Sequence, residues 1–358
     1  MGNKKSRAAA TPPPEVVAMD MVLGVWRSQA LVSFVKSGLP DAMSSDDYTD
    51  AETLAAKLNL NANAIHRLLR FLSTLDVCIE DKVGGRYKLG PVGEVCSKSH
   101  PKSVAGKVLL EGSTQHISMW RCLPEFLKTG EKVTNSAFGY QSYWEMCSSD
   151  SAHLKLFQEA MSSYTNEEAA MLKVEALSPT LDLSEYDIIC DLGGAEGALS
   201  KALAGRFPGS TYILADLKEA VDRIDDSALP PKFEKAACDF FKEESIPFAH
   251  AYLLKHILHD WNEEKCVQIL ENIKARNPQA KVFVMEFGPM PGPNVPHLSK
   301  IFDIHMAISV DGHERTQQEY NDLFYKSKYA LAKTHLLAGG NYPLYVQEIE
   351  TTSWAQRS

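Results

Sequence analysis

At residues 191–197 the chain reads Asp-Leu-Gly-Gly-Ala-Glu-Gly, between an apolar strand pattern and a helical pattern. A strand that ends in a glycine-rich turn and opens a helix is typical of the ligand-binding edge of an open α/β sheet. A second strand pattern leads into residues 255–261, which read Lys-His-Ile-Leu-His-Asp-Trp. The two segments together predict a cofactor loop beside a candidate base, His259, at the end of a neighbouring strand.

Strand and helix patterns alternate from Asp187 onward, which predicts a mostly parallel sheet with helices on both faces. The predicted strands cover residues 187–192, 212–216, 251–256, 281–287, 330–335 and 342–349. The last two are closely spaced and predict a hairpin, with one antiparallel strand at the edge of the sheet.

The N-terminal half has helical patterns at residues 15–36, 51–58 and 61–75, then a hairpin pattern at 77–89, which together indicate a winged helix-turn-helix. A role in DNA binding is disfavoured because the net charge is −9 and the candidate recognition helix offers only His66, Arg67 and Arg70. We therefore predict a packing or dimerisation unit and no nucleic-acid partner.

Composition indicates a soluble globular protein, since 44% of the 358 residues are hydrophobic and 23% are charged. The seven cysteines form no Cys-x-x-Cys pair, which fits a reducing, cytoplasmic compartment. Residues 1–6 read Met-Gly-Asn-Lys-Lys-Ser and fit the myristoylation pattern, so acylation of Gly2 would give weak membrane attachment. The alternatives are a disordered tail over residues 1–14 or an organellar targeting signal, because that stretch contains no acid.

The residues around the glycine turn indicate which cofactor binds there. Asp216 ends the next strand, where a carboxylate accepts hydrogen bonds from ribose hydroxyls, although a helix N-cap is the alternative. Ala195 and Glu196 make the turn unfavourable for a dianionic pyrophosphate, whereas an acidic cradle suits the sulfonium of S-adenosylmethionine. The predicted cofactor-binding residues are Asp191, Gly193, Gly194, Gly197, Asp216, Asp239, Phe240 and Lys255.

The chain resembles the S-adenosylmethionine-dependent O-methyltransferases that include the caffeic acid and acetylserotonin O-methyltransferases. Four segments carry the resemblance, together with the N-terminal winged helix: residues 191–197, 216–217, 255–261 and 312–316. The family usually has glycine where Ala195 stands and rarely an acid where Glu196 stands. These differences suggest a divergent branch of the family, so the resemblance does not identify the methyl acceptor.

The resemblance implies a Rossmann-like, seven-stranded methyltransferase domain over residues 179–358. It also implies a mostly helical winged-helix domain over residues 15–178 that dimerises and lines the acceptor site. The implied partners are a small-molecule methyl acceptor and a second copy of the chain, whose helices help to line the pocket.

Transfer of a methyl group to a hydroxyl is helped by a general base, and histidine suits this role near neutral pH. We predict His259 as the base. The resemblance places Glu286 and Glu314 behind its ring, Asp260 against the acceptor and Lys255 near the cofactor. No metal site is predicted, because His256 and His259 have no third ligand at a recognisable spacing.

Two other functions stay open from the sequence. The fold also resembles enzymes that S-methylate 4-methylthio-2-hydroxybutyrate in dimethylsulfoniopropionate synthesis, and a thioether sulfur needs no base. A winged-helix regulator that senses the cofactor is the third possibility, and the acidic charge of the chain counts against it.

Overall fold

The computed structural model describes residues 12–173, 181–337 and 344–352, and the chain divides into a unit up to Thr114 and a unit from Gln115 onward. The predicted domain boundary between residues 178 and 179 lies outside the described residues and stays a prediction. Gly2 also lies outside them, so its acylation stays a prediction as well.

The first unit contains the 23-residue helix α1, several shorter helices and a three-stranded sheet with the strand order β1-β3-β2. Two of its helices, α3 and α4, begin at Asp50 and Asn61, whose side chains accept backbone N–H groups as N-caps. Ile65, Leu69 and Leu72 fall on one face of α4 and are buried in the core. The elements are α1 (Pro14–Lys36), α2 (Leu39–Ala42), β1 (Thr49–Asp50), α3 (Ala51–Leu58), α4 (Ala62–Leu72), β2 (Cys78–Glu80), β3 (Arg86–Leu89), α5 (Pro91–Glu94) and α6 (Ala105–Glu111).

Helix α1 is the one described helix whose length and composition would allow it to cross a membrane, with a hydropathy of 1.2 over the qualifying window. None of that window is buried, and apolar side chains such as Met21 and Trp26 are 77% and 69% exposed. Signal sequences and core helices share this length and composition, so the helix alone does not fix the compartment.

The second unit begins with five helices and continues with the alternating strands and helices that the sequence predicted. The helices are α7 (Thr114–Arg121), α8 (Leu123–Thr129), α9 (Thr134–Phe138), α10 (Tyr143–Ser149) and α11 (Ser151–Lys173). The remaining elements are β4 (Ile188–Leu192), α12 (Ala198–Arg206), β5 (Thr211–Asp216), α13 (Lys218–Val221), β6 (Phe233–Ala237), β7 (Ala251–Lys255), α14 (Glu263–Arg276), β8 (Lys281–Glu286), α15 (Leu298–Ser309), α16 (Gln317–Lys326), β9 (Tyr329–Leu337) and β10 (Leu344–Thr351).

The seven strands of this unit follow the order β6-β5-β4-β7-β8-β10-β9, and the first five run parallel. The hairpin of β9 and β10 confirms the prediction, but the antiparallel strand is not at the edge. β10 lies between β8 and β9 and pairs antiparallel with both. The buried side chains of Leu344, Val346 and Ile349 suit this inner position, whereas exposed Lys333 and Thr334 suit β9 at the edge.

The parallel strands bring the predicted site residues to one edge of the sheet. β4, β5, β7 and β8 are adjacent in register, so their carboxyl ends lie side by side. Asp216, Lys255 and Glu286 are each the last residue of a strand. Ligands of open parallel sheets bind outside these carboxyl ends, which is where the structure gathers the acids and bases.

Candidate active site

The glycine turn after β4 is held against the next strand by backbone hydrogen bonds. The N–H groups of Gly193 and Gly194 both donate to the carbonyl oxygen of Ala215, at 2.7 and 3.4 Å. Gly197 has a φ of +74°, and a Cβ atom there would lie 2.6 Å from Cδ1 of Leu214. Only glycine suits both the positive φ and the close approach to Leu214, so Gly197 determines where the turn ends and α12 begins.

Asp216 joins the end of β5 to this turn. Its Oδ2 accepts the backbone N–H of Ala195 at 2.8 Å, and its Oδ1 accepts that of Leu217 at 2.7 Å. Burial raises the pKa of Asp216, and the two hydrogen bonds oppose that rise. Leu217, not Asp216, is the N-cap of α13, so Asp216 does not take the alternative role of a helix N-cap.

Asp191 lies inside β4 and is only 2% exposed. Its Oδ2 accepts a 2.6 Å hydrogen bond from Oγ of Ser200 on α12, a partner that the sequence analysis did not identify. Burial raises the pKa of Asp191 to about 6, although this hydrogen bond and the charge of Lys255 both oppose the rise. The Asp191–Ser200 bond ties the strand to the helix directly behind the glycine turn.

The segment after β6 brings a carboxylate and an aromatic ring to the same edge. Asp239 accepts the backbone N–H of Phe241 at 3.1 Å and pairs with Nζ of Lys242 at 3.1 Å. A Cβ atom on Gly193 would be 4.0 Å from Cε1 of Phe240. The ring of Phe240 therefore lies beside the glycine turn, directly after Asp239 in the chain.

His259 lies among three carboxylates and is 7% exposed. Its Nδ1 is 2.8 Å from Oε1 of Glu314 and 3.6 Å from Oε2 of Glu286. The backbone N–H of His259 donates to Oε1 of Glu286 at 3.3 Å, and Nε2 lies 3.6 Å from Oδ1 of Asp260. The structure therefore brings together all four predicted catalytic residues, from β8 and from two separate loops.

The strand that carries the histidines ends one residue earlier than predicted. β7 stops at Lys255, His256 takes a φ of +53°, and His259 lies on a 3₁₀ turn over Leu258–Asp260 and not at the strand end. The positive φ turns the chain, and Nδ1 of His256 then lies 3.2 Å from Oε2 of Glu286. This contact was not predicted, although the three-residue spacing of the histidines was a signal for it.

Arg315 and Gly312 hold this turn in place. The guanidinium of Arg315 is buried and donates to the carbonyl oxygens of Leu258 and Trp261, at 2.8 and 2.9 Å. A Cβ atom on Gly312 would overlap the carbonyl oxygen of His259 and lie 2.7 Å from the carbonyl carbon of Asp260. The 312–316 segment thus supports the backbone on both sides of His259 as well as its ring.

The electrostatics of the cluster favour a proton on His259. Burial disfavours the charged imidazole, but the charges of Glu286 and Asp260 and the hydrogen bond to Glu314 outweigh it and raise the pKa of His259 to about 10. Burial raises the pKa of Asp260 to about 6, while the imidazolium opposes that rise. The pKa of Glu286 is lowered, because the charge of His259 and the hydrogen bond from His256 outweigh burial.

The fold and this cluster define a class of enzyme that binds a nucleoside cofactor beside a buried acid–base set. Residues 120–330 match the O-methyltransferase domain family, and residues 19–99 match the O-methyltransferase dimerisation domain. The chain belongs to this family of O-methyltransferases. It is therefore an enzyme that takes a methyl group from S-adenosylmethionine to a small-molecule acceptor, and the dimerisation domain supports a homodimer.

Similar proteins cover nearly the whole chain. Des-methyl DIF-1 methyltransferase A of Dictyostelium discoideum is 28% identical over 87% of each chain. Phenazine O-methyltransferase PhzM of Lysobacter antibioticus is 27% identical over 94% of this chain and 97% of its own. The solved mitomycin 7-O-methyltransferase MmcR has a TM-score of 0.81 at 27% identity, covering 94% of this chain and 98% of its own. Human N-acetylserotonin methyltransferase, solved with S-adenosylmethionine, shares the fold with a TM-score of 0.84 at 21% identity, over 97% of this chain and 100% of its own.

Proposed function

We propose that this enzyme methylates a hydroxyl oxygen of a small molecule and that His259 is the general base. The observation that carries the proposal is the 2.8 Å contact between Nδ1 of His259 and Oε1 of Glu314. A carboxylate accepts and does not donate, so in the neutral form of the ring, the form that can act as a base, Nδ1 bears the proton and Nε2 keeps its lone pair. Because the surrounding carboxylates raise the pKa of His259, this neutral form is the minor one near neutral pH and becomes more populated as the pH rises. The ring therefore has a fixed tautomer, with the basic nitrogen on the side away from Glu314.

The raised pKa of His259, about 10, bears on the kind of acceptor. A phenol has a pKa of about 10, and the raised pKa of His259 makes transfer of the phenol proton to this imidazole more favourable than transfer to an ordinary histidine. The carboxylates that raise the pKa also stabilise the imidazolium that the transfer forms. An acidic, phenol-like hydroxyl is thus the acceptor that this set of residues suits best.

The other predicted residues take supporting roles in the proposal. When bound, S-adenosylmethionine supplies an electrophilic methyl group on a cationic sulfur. Asp216 would accept the ribose hydroxyls, and Asp239 with Phe240 would bind the adenine. The glycine turn and Asp191 would shape the cradle, and Lys255 would lie beside it. Asp260, at 3.6 Å from Nε2 of His259, would contact the acceptor.

The domain arrangement and the dimer complete the proposal. Residues 15–178 would form the dimerisation and acceptor-lining domain, residues 179–358 would form the methyltransferase domain, and helices of the partner subunit would contribute to the acceptor pocket. The match of residues 19–99 to a dimerisation domain supports the first part of this assignment. The proposal also includes a cytoplasmic location and, if Gly2 is acylated, weak membrane attachment.

The decisive experiment compares His259→Ala with His250→Ala, which removes an imidazole just before the amino end of the same strand. Loss of a general base lowers turnover by about 10²- to 10⁴-fold, and we expect this for His259→Ala only. Binding of S-adenosylmethionine, measured by calorimetry, should be retained in both variants. Near-normal turnover of His259→Ala would refute the base and favour an acceptor that is already nucleophilic, such as the thioether acid 4-methylthio-2-hydroxybutyrate.

A further inference from the structure

Three side chains of metal-binding type meet at the end of β8. One ligand atom from each of His256, His259 and Glu286 lies within 4.8 Å of the other two. Oε2 of Glu286 is 3.2 Å from Nδ1 of His256 and 3.6 Å from Nδ1 of His259. Two ligands of a tetrahedral Zn²⁺, each at about 2.1 Å from the metal, are about 3.4 Å apart. The spacings in the cluster are therefore close to the edges of a zinc tetrahedron.

Glu314 lies beside this group through its contact with His259 and would supply a fourth ligand, since one of its oxygens has no hydrogen-bond partner among the described residues. Oε1 contacts His259 at 2.8 Å, but Oε2 is buried without a hydrogen bond to any described residue. The side chain of Glu314 is 1% exposed. A buried carboxylate oxygen without a donor is destabilising, and a cation between the two glutamates would satisfy it.

We propose that His256, His259, Glu286 and Glu314 bind a divalent cation of the zinc type, and that this cation inhibits methyl transfer. Two imidazoles and two carboxylates are the ligands that Zn²⁺ accepts in a tetrahedron, whereas Mg²⁺ and Ca²⁺ require oxygen ligands throughout. The cluster has three carboxylates, Glu286, Glu314 and the neighbouring Asp260, but its two imidazoles can carry only two positive charges. A dication therefore replaces protons in a site that is already built to attract positive charge.

Inhibition follows from the tautomer of His259 and so rests on the proposed function. A metal bound at Nδ1 displaces the proton of that nitrogen to solvent. The ring stays neutral by taking up a proton from solvent at Nε2, the nitrogen proposed to take the proton of the acceptor. A ring that holds a proton on Nε2 cannot accept another there, so the metal-loaded enzyme has no base.

The test uses the full-length enzyme after treatment with a chelator, first with Co²⁺ as a spectroscopic probe and then with Zn²⁺ in competition with a chromophoric chelator. We expect the intense visible absorption of tetrahedral Co²⁺ and its loss on addition of Zn²⁺. His256→Asn removes one ligand, and asparagine tolerates the φ of +53° at this position. The affinity for Zn²⁺ should fall at least about 100-fold in this variant, since even the loss of an outer hydrogen-bond partner weakens a metal site 10- to 100-fold.

His313→Asn is the matched control, because His313 lies on the neighbouring loop but outside the cluster, and it should bind Zn²⁺ as the wild type does. Glu314→Gln is a second ligand variant, in case His256→Asn does not fold, and it should also lose affinity. Absence of the Co²⁺ band, or equal Zn²⁺ affinity in the wild type and both ligand variants, would overturn the site. Full turnover of His259→Ala would instead overturn the base and leave the Co²⁺ band of the wild type unchanged, so the two failures are distinguishable.

Discussion

Glu314→Gln tests how much the charge behind the imidazole contributes to catalysis. The amide is nearly the same size as the carboxylate and its oxygen can still accept the proton of Nδ1 of His259, so the 2.8 Å contact can persist without the charge. A hydrogen bond to a charged group contributes about 1.5–3 kcal/mol, and each 1.4 kcal/mol is a factor of ten in rate. We therefore expect the limiting turnover at high pH, where the ring is neutral before the reaction, to fall about 10- to 150-fold, because the imidazolium formed in the reaction loses that stabilisation.

Two measurements separate this effect from a general disturbance. Initial rates with labelled methyl donor give turnover, and NMR titration of the imidazole gives the pKa of His259, which should fall from its value of about 10. Glu319→Gln is the matched control. Glu319 is an exposed carboxylate near Glu314 in the chain, and its side chain accepts the backbone N–H of Thr316 at the start of α16. An unchanged rate together with an unchanged pKa in Glu314→Gln would refute the role that we assign to Glu314.

Three more predictions address the cofactor, the backbone and the pH dependence. Asp216→Ala should weaken S-adenosylmethionine binding about 10- to 150-fold, because hydrogen bonds to a charged group are lost. Asp222→Ala, which removes an exposed acid just after α13, should leave binding unchanged, and equal dissociation constants of the two variants by calorimetry would exclude the ribose role. Gly312→Ala should destabilise the fold by about 1–3 kcal/mol in urea unfolding, since its Cβ overlaps the carbonyl oxygen of His259, and Gly292→Ala, which meets no atom within 4 Å, should be neutral. The raised pKa of His259 stabilises the folded state fully below pH of about 6.5, and this contribution is lost as the pH rises through about 10. The difference in unfolding free energy between the wild type and His259→Ala should therefore be larger at pH 6 than at pH 9.5, and a difference that grows with pH would contradict the assignment.

Residues that act through a repeating pattern were predictable from the sequence. Apolar strands alternating with helices gave the parallel sheet, and the glycines after Leu192 marked the turn at its edge. Glu286 and Glu314 came from the family resemblance and not from spacing, because they lie on segments far from His259 in the chain. The structure confirms the proximity of all three side chains.

Features that depend on tertiary placement were not predictable. The position of β10 inside the sheet depends on which of two hairpin strands buries more apolar surface, and spacing along the chain does not contain that comparison. The bond between Asp191 and Ser200 depends on how α12 packs on β4. The positive φ of His256 was not predictable from the sequence, because a histidine adopts a negative φ far more often than a positive one.

The segment 312–316 has a consequence for engineering new acceptors. One short loop supplies the charge behind the imidazole through Glu314, the backbone clamp through Arg315 and the close approach through Gly312. A library that varied this loop would alter reactivity and stability together, and most of its members would be inactive for reasons unrelated to selectivity. Randomisation is better directed at other parts of the chain, with these three positions kept as the fixed frame of the chemistry.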